Sequence, residues 1–159
     1  MYTIPTAIQA FTLAGWNIAI SDIFQNRGIG LAICQKLATG YAGPLIVYAA
    51  SRAGAPISLS PAAAPSVKFL PARISLTDNT SIDALATRVR DEQGGCDVLI
   101  NNAGLYYYWE DITPEQRKET LDVNTRGTIK VVSHISSILF EARLQHSNPH
   151  HRCAKHFCH

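Results

Sequence analysis

The run Leu45-Ile46-Val47-Tyr48-Ala49-Ala50 constrains this chain more than any other stretch. It is apolar at every position and therefore on both faces when extended, as a strand buried inside a parallel sheet is. Val98-Leu99-Ile100 repeats the pattern, and Val67-Lys68-Phe69-Leu70 reads as another strand. Trp16 to Ile23 supplies a further one through the β-branched Ile18, Ile20 and Ile23. Helical periods lie between these runs. Ile29, Ile33 and Leu37, with Leu31 and Ala32 alongside, predict a helix packed on a sheet, ended by Gly40 and Gly43-Pro44. Ile82, Leu85, Ala86 and Val89 fall at i, i+3, i+4 and i+7 after a Thr77-Asp78 cap, and Gly94-Gly95 stop that helix. Thr113-Pro114-Glu115-Gln116 is a capping box with proline at the first helical position. It opens a long helix expected to carry Leu121, Ile129, Val132, Ile135 and Leu139. Residues 53–66, with their prolines, read as a surface loop. Strands alternating with helices in this order predict an α/β fold, a doubly wound parallel sheet of about four strands with flanking helices.

Bulk properties narrow the function classes. At 159 residues there is room for one ordinary domain with a real core. A net charge of +2, with the Lys and Arg residues scattered, argues against nucleic acid or an anionic membrane as a partner. No apolar run reaches the roughly 20 residues of a membrane span. The first residues carry no leading Lys or Arg and are broken by Pro5, Gln9 and Asn17, so no signal peptide is expected. The four cysteines, Cys34, Cys96, Cys153 and Cys158, form no disulfide framework, which points to a reducing, cytoplasmic compartment.

Two short motifs carry the chemistry. Asn26-Arg27-Gly28-Ile29-Gly30 reads as the closing half of a glycine-rich phosphate loop running into a helix. Asn101-Asn102-Ala103-Gly104 follows a buried strand as a strand-end loop would. Glycines in the first motif allow a tight turn, so that backbone amides approach a pyrophosphate resting on the partially positive helix N-terminus. Together the motifs point to a nicotinamide-dinucleotide domain.

On these residues the chain resembles the short-chain dehydrogenase/reductase family, nearest its carbonyl-reductase-like branch, over about residues 26–132. The resemblance implies a Rossmann-like fold, incomplete here, and an NADP(H)-dependent oxidoreductase acting on a small carbonyl or alcohol substrate. It assigns cofactor contacts to Asn26, Arg27, Gly28, Ile29 and Gly30, and to Asn102, Ala103 and Gly104, with Asn101 satisfying strand-end backbone groups. After the third strand, the family's adenine-contacting Asp falls on Ser75, beside Leu76. At the end of the second strand, where NAD-binding relatives place an acid for the ribose 2′-hydroxyl, this chain has Ser51-Arg52, with Arg27 nearby. Two guanidinium groups suit a 2′-phosphate, so NADP(H) is favoured over NAD; alternatively Arg52 is a solvated loop residue. Asn124, in Asp122-Val123-Asn124-Thr125-Arg126-Gly127, matches the family's active-site Asn, which helps hold a water in the proton relay. The alternative is a helical Asn that bonds locally. Tyr106-Tyr107-Tyr108-Trp109 either lines a substrate pocket or packs on the core as a loop.

The chain departs from the family at both ends. Phe24 stands where the family has a glycine of the phosphate loop. No Tyr-x-x-x-Lys occurs, and Ser136-Ser137 comes too soon after Asn124 to serve as the family's serine. Catalytic turnover is therefore not expected. The organisation expected is an aberrant segment 1–25, a partial dinucleotide-binding domain 26–143 and a disordered tail 144–159. Phe24-Gln25 is encodable as an intron end and Val132-Ser133 as an intron start, so misjoined reading frame is expected outside these junctions; genomic codons test this. The tail residues His150, His151, Cys153, His156, Cys158 and His159 show no zinc-module spacing, and no metal site is expected. In the usual strand order, the strand at Val98 would lie on an open edge, predicting self-association and poor solubility. The readings left open are an NADP-dependent oxidoreductase, a dinucleotide-binding module without turnover, and an interaction fragment pairing through that edge.

Overall fold

The computed structural model describes residues 16–21, 28–60, 63–107 and 112–147. Four strands, β1 (Trp16–Ser21), β2 (Leu45–Ser51), β3 (Val67–Arg73) and β4 (Val98–Asn101), form one parallel sheet in the order β3-β2-β1-β4. Helix α1 (Gly28–Gly40) connects β1 to β2, and α2 (Asn79–Gln93) connects β3 to β4. After β4 come α3 (Pro114–Leu121), a π-helical segment (Asp122–Gly127) and α4 (Thr128–Ser147). The apolar run at 45–50 is β2, and all its residues except half-buried Ile46 are buried. The alternation of strand side chains explains why. Leu45 and Val47 join Val67 and Cys34 of α1 in one core cluster. Tyr48 and Ala50 join Ala72, Ile74 and the inward faces of α2 and α4 in the other. Helices on both faces make the sheet doubly wound, as expected.

Two expectations about the strands change. β3 runs past Leu70 to Arg73 and takes Pro71 with it, in register with Ala49. Among the described residues β3 has a neighbour only on the β2 side, and an edge strand tolerates a residue that cannot donate a ladder hydrogen bond. β4 is half-buried rather than buried, because among the described residues only β1 flanks it. β1 is described over Trp16–Ser21, and Asp22 and Ile23 of the expected strand lie outside the described residues. The loop at 53–66 is less superficial than expected: Ile57, Leu59, Ala63 and Ala64 pack on the α1-side cluster.

The α2 expectation holds in full. Asp78 accepts from the Thr80 amide at 3.0 Å, Ile82, Leu85, Ala86 and Val89 are buried, and Gly94 closes the helix with φ +76°. The Thr113 capping box is formed, with Pro114 at its start. The apolar stripes of the other helices are shifted. α1 buries Gly30, Cys34 and Ala38, while Ile33 and Leu37 are half-buried and Ile29 is 72% exposed. The long helix departs furthest. Its π-helical segment inserts an extra residue into the helical repeat and rotates everything downstream. Ile135 is buried as expected, together with Val123, Gly127, Val131 and Ile138, whereas Leu121, Ile129 and Val132 face outward; the Leu139 side chain lies outside the described residues. α4 continues through Val132 and Ser133, where the sequence reading places a junction.

Tyr48 shows how the sheet is tied to α2. It is fully buried, yet its hydroxyl donates to Glu92 Oε2 at 2.7 Å and accepts from Gln93 Nε2 at 3.0 Å. Arg88 lies over its ring, bonds Glu92 and donates to the Pro71 carbonyl at 2.8 Å, which links α2 to the β3 edge. Burial, and next the Glu92 acceptor, push the Tyr48 pKa up from 10.0 to about 12. The folded state thus favours the protonated phenol. Its contribution is complete below pH 10 and is lost as pH rises from 10 to about 12. Tyr48→Phe should remove that alkaline slope from a plot of urea midpoint against pH, and lower neutral-pH stability by about 1 kcal/mol. An unchanged slope in the variant would count against this account.

Candidate functional site

In an open α/β sheet, ligands bind outside the carboxyl ends of the strands. The described residues among those singled out by sequence lie at that end. Gly28 opens α1 with φ +69°, and nothing lies within 4 Å of where its Cβ would stand. The turn therefore leaves room for a group to approach the backbone at the helix start. No acidic side chain occupies the first turn of α1, so its partial positive charge is unopposed locally. Exposed Ile29 sits beside the opening and buried Gly30 faces inward. Asn26, Arg27 and Phe24 lie outside the described residues.

At the end of β2, Ser51 is buried and structural. Its Oγ accepts from the Gly54 amide at 3.0 Å, and its carbonyl accepts from Ile74 N at 2.9 Å. Arg52 is exposed, within electrostatic reach of Tyr107. Tyr107 donates to Glu119 Oε2 at 2.5 Å. That bond pushes its pKa up, and the charge of Arg52 pulls it back. Tyr106 is exposed, so it does not pack on the core; Tyr108 and Trp109 lie outside the described residues.

Ser75 is half-buried, with much of its hydrogen bonding spoken for. Its amide donates to Ser81 Oγ at 2.8 Å, its carbonyl accepts from the same hydroxyl, and its Oγ pairs with Thr77 at 3.2 Å. The Leu76 side chain is buried in the core, which leaves its backbone for any ligand contact. Asn101 at the end of β4 and Gly104 beyond it are exposed, while Asn102 is half-buried. Half-buried Ala103 and Leu105 pack on the α2–α4 core.

Asn124 lies in the π-helical segment and bonds across the crevice rather than locally. Its Oδ1 accepts from the Leu105 amide at 2.7 Å, and its Nδ2 donates to the Leu105 carbonyl at 2.8 Å. The side chain thus pairs with Leu105 as a neighbouring strand would, holding the loop that carries Asn102 to Gly104. One turn on, Gly127 abuts the loop after β3: a Cβ there would lie 2.5 Å from the Leu76 carbonyl oxygen. The π-helical segment therefore touches both strand-end loops. Sequence reasoning missed Gly127 and Leu105. The usable signal was a glycine inside a helical pattern, which costs about 1 kcal/mol against Ala and calls for a packing reason. Asn124→Ala should release Leu105, so that its amide exchanges roughly fivefold faster in native-state hydrogen exchange while β2 amides stay unchanged. Equal protection in the variant would refute the clamp.

Ser136 and Ser137 do not join the site. Each hydroxyl turns back to a carbonyl of its own helix, Ser133 at 3.0 Å and His134 at 2.8 Å. An open hollow of about 420 Å³ between α2 and α4, lined by Asp83, Arg90 and His134 among others, shares no residue with the strand-end loops.

The family model for short chain dehydrogenases matches residues 25–144, past the point near Val132 where the sequence reading lets the resemblance end. Carbonyl reductase (NADPH) 1 of Homo sapiens is 34% identical over 118 residues, covering 72% of this chain and 42% of the relative. The Bos taurus protein of the same name is 31% identical over 116 residues, with the same coverage. The chain thus spans less than half the length of these relatives. Among solved structures, the NADPH-bound carbonyl reductase from chicken fatty liver superposes with a TM-score of 0.61 at 19% identity, covering 92% of this chain and 56% of that one. An alcohol dehydrogenase of Thermococcus sibiricus, complexed with 5-hydroxy-NADP, gives 0.60 at 21% identity, covering 78% and 53%. The parallel sheet wound on both faces, the glycine opening of α1 and the Asn-Asn-Ala-Gly strand end accord with the match over most of the sequence, and the chain belongs to the short chain dehydrogenase family.

Proposed function

We propose that this chain is an NADP(H)-binding module of a carbonyl-reducing oxidoreductase. The observation that carries the reading is the Gly28 opening: a left-handed glycine at a helix start, with open space above it and no acid in the first turn. Gly28, Ile29 and Gly30 would hold the pyrophosphate side, and Asn102 to Gly104 would line the crevice opposite. Arg52 would take the 2′-phosphate, and Ser75 and the Leu76 backbone would border the adenine. The carbonyl reductases that the chain resembles are named for NADPH. Once bound, the dinucleotide supplies hydride to a small carbonyl substrate or takes it from an alcohol. This chain's own residues bind and orient it, and Asn124 holds the Leu105 loop in place. The 159 residues carry no Tyr-x-x-x-Lys, so binding without turnover is the expected behaviour. Cys34 and Cys96, both buried in the core, suit a reducing, cytoplasmic setting. No described helix is long and apolar enough to cross a membrane. Titration with NADPH, followed by fluorescence, should give saturable binding with NADH weaker and no reduction of carbonyl substrates. A chain that binds neither dinucleotide would sink the proposal.

A second reading rests on the sheet edge. Among the described residues β4 pairs only with β1, and Val98, Leu99 and Ile100 are half-exposed. An apolar parallel edge of this kind favours pairing with a second copy. Sedimentation should find associated species; a monodisperse monomer with a cooperative melt would refute the pairing.

A further inference from the structure

Arg73 ends β3 and is the register partner of Ser51, the residue before Arg52. Neighbouring strands lie about 4.8 Å apart, so the root of Arg73 stands one strand spacing from the loop that carries Arg52. Register partners project to the same face. Leu45 and Val47, and Val67 and Phe69, alternate onto the face that carries α1. By the same alternation Arg73 leaves the sheet on the face of α1 and its Gly28 opening. The Arg52 loop then folds onto it: Gly54, held by Ser51 and turned with φ +65°, places its Cβ position 3.1 Å from Arg73 Cβ. Arg52 and Arg73 are both exposed, and Arg73 has no side-chain hydrogen bond or ion pair among the described residues. No Asp or Glu occurs from Ser51 through Thr77, where the charged residues are Arg52, Lys68 and Arg73. Lys68 lies at the far end of β3, and the next acid, Asp78, is engaged as the α2 cap.

Two guanidinium groups rooted one strand spacing apart, on segments that carry no acid of their own, suit a phosphate dianion held between them. We propose that Arg73 is a second 2′-phosphate-binding residue that, with Arg52 across the Gly54 turn, sets preference for NADP(H) over NAD(H). The inference rests on the dinucleotide reading above and adds a specificity residue to it.

The test compares NADPH and NADH affinities, by calorimetry, for the 159-residue chain, Arg73→Gln and Arg73→Lys. Arg73→Gln should weaken NADPH by about tenfold and NADH by less than about twofold, with Arg73→Lys in between. Equal losses for the two dinucleotides, or undiminished NADPH affinity in Arg73→Gln, would overturn the proposal while wild-type binding leaves the dinucleotide reading standing. Failure of the wild-type chain to bind NADPH would overturn both. Should Arg73→Gln not melt cooperatively, Arg73→Lys decides: a lowered ratio of NADPH to NADH affinity supports the assignment, and an unchanged ratio refutes it.

Discussion

Ile135→Ala should destabilise the chain by about 2–5 kcal/mol, whereas Ile129→Ala should shift stability by less than about 0.5 kcal/mol. Both positions fall on the apolar stripe that helical spacing draws through this segment. In the structure Ile135 is 1% exposed, packed with Val131 and Ile138 of its own helix and with the inward face of α2, while Ile129 is 62% exposed. Truncating Ile135 removes buried methyl groups and leaves a cavity that the sheet and α2 can only partly close. Truncating Ile129 removes surface already in water. For a chain of this size each kcal/mol moves the melting temperature by roughly 2–4 °C, so the two variants separate cleanly. Urea unfolding with an unchanged m-value gives the free energies. Equal costs at the two positions would mean that α4 does not turn Ile135 to the core and Ile129 to solvent.

Gly127→Val should destabilise by about 3 kcal/mol or more, and Gly127→Ala by about 1–3 kcal/mol. The helical backbone at Gly127 would itself gain from Ala, by about 1 kcal/mol of propensity. Packing opposes that gain. The added Cβ would stand 2.5 Å from the Leu76 carbonyl oxygen and 2.6 Å from Leu76 Cβ, well inside contact distance. The nearest atom is backbone and cannot swing aside, so the π-helical segment and the loop after β3 must separate. That displacement also moves Asn124, one turn earlier, off Leu105. Gly127→Ala should therefore speed exchange at the Leu105 amide as well as lower the melting temperature. A variant as stable as the parent would show that the contact with Leu76 is slack.

Much of the fold was legible because local physics repeats itself in the sequence. β2 and α2 announce themselves by apolar pattern, and α2 and α3 also by caps whose side chains bond within a few residues. β4 and the Asn-Asn-Ala-Gly loop follow from an apolar run meeting polar turn residues. The candidate site was legible only as a set of positions: Gly28 at a turn, Ser51 and Arg52 at a strand end, Asn124 in a helix. Its connections were hidden, since Asn124 meets a backbone 19 residues away and Arg73 meets the Arg52 loop only through strand register. The half-burial of β4 was hidden too, because exposure depends on which strand lies beside it.

The amino-acid sequence alone determined the family, the alternation of strands and helices, the residues at the strand ends and the absence of a Tyr-x-x-x-Lys, because each is a property of neighbours along the chain. The tertiary structure decided which face of the long helix is buried, what Asn124 holds, why position 127 is glycine and which cation stands beside Arg52. Each of these depends on contacts between elements far apart in sequence, which local pattern does not encode.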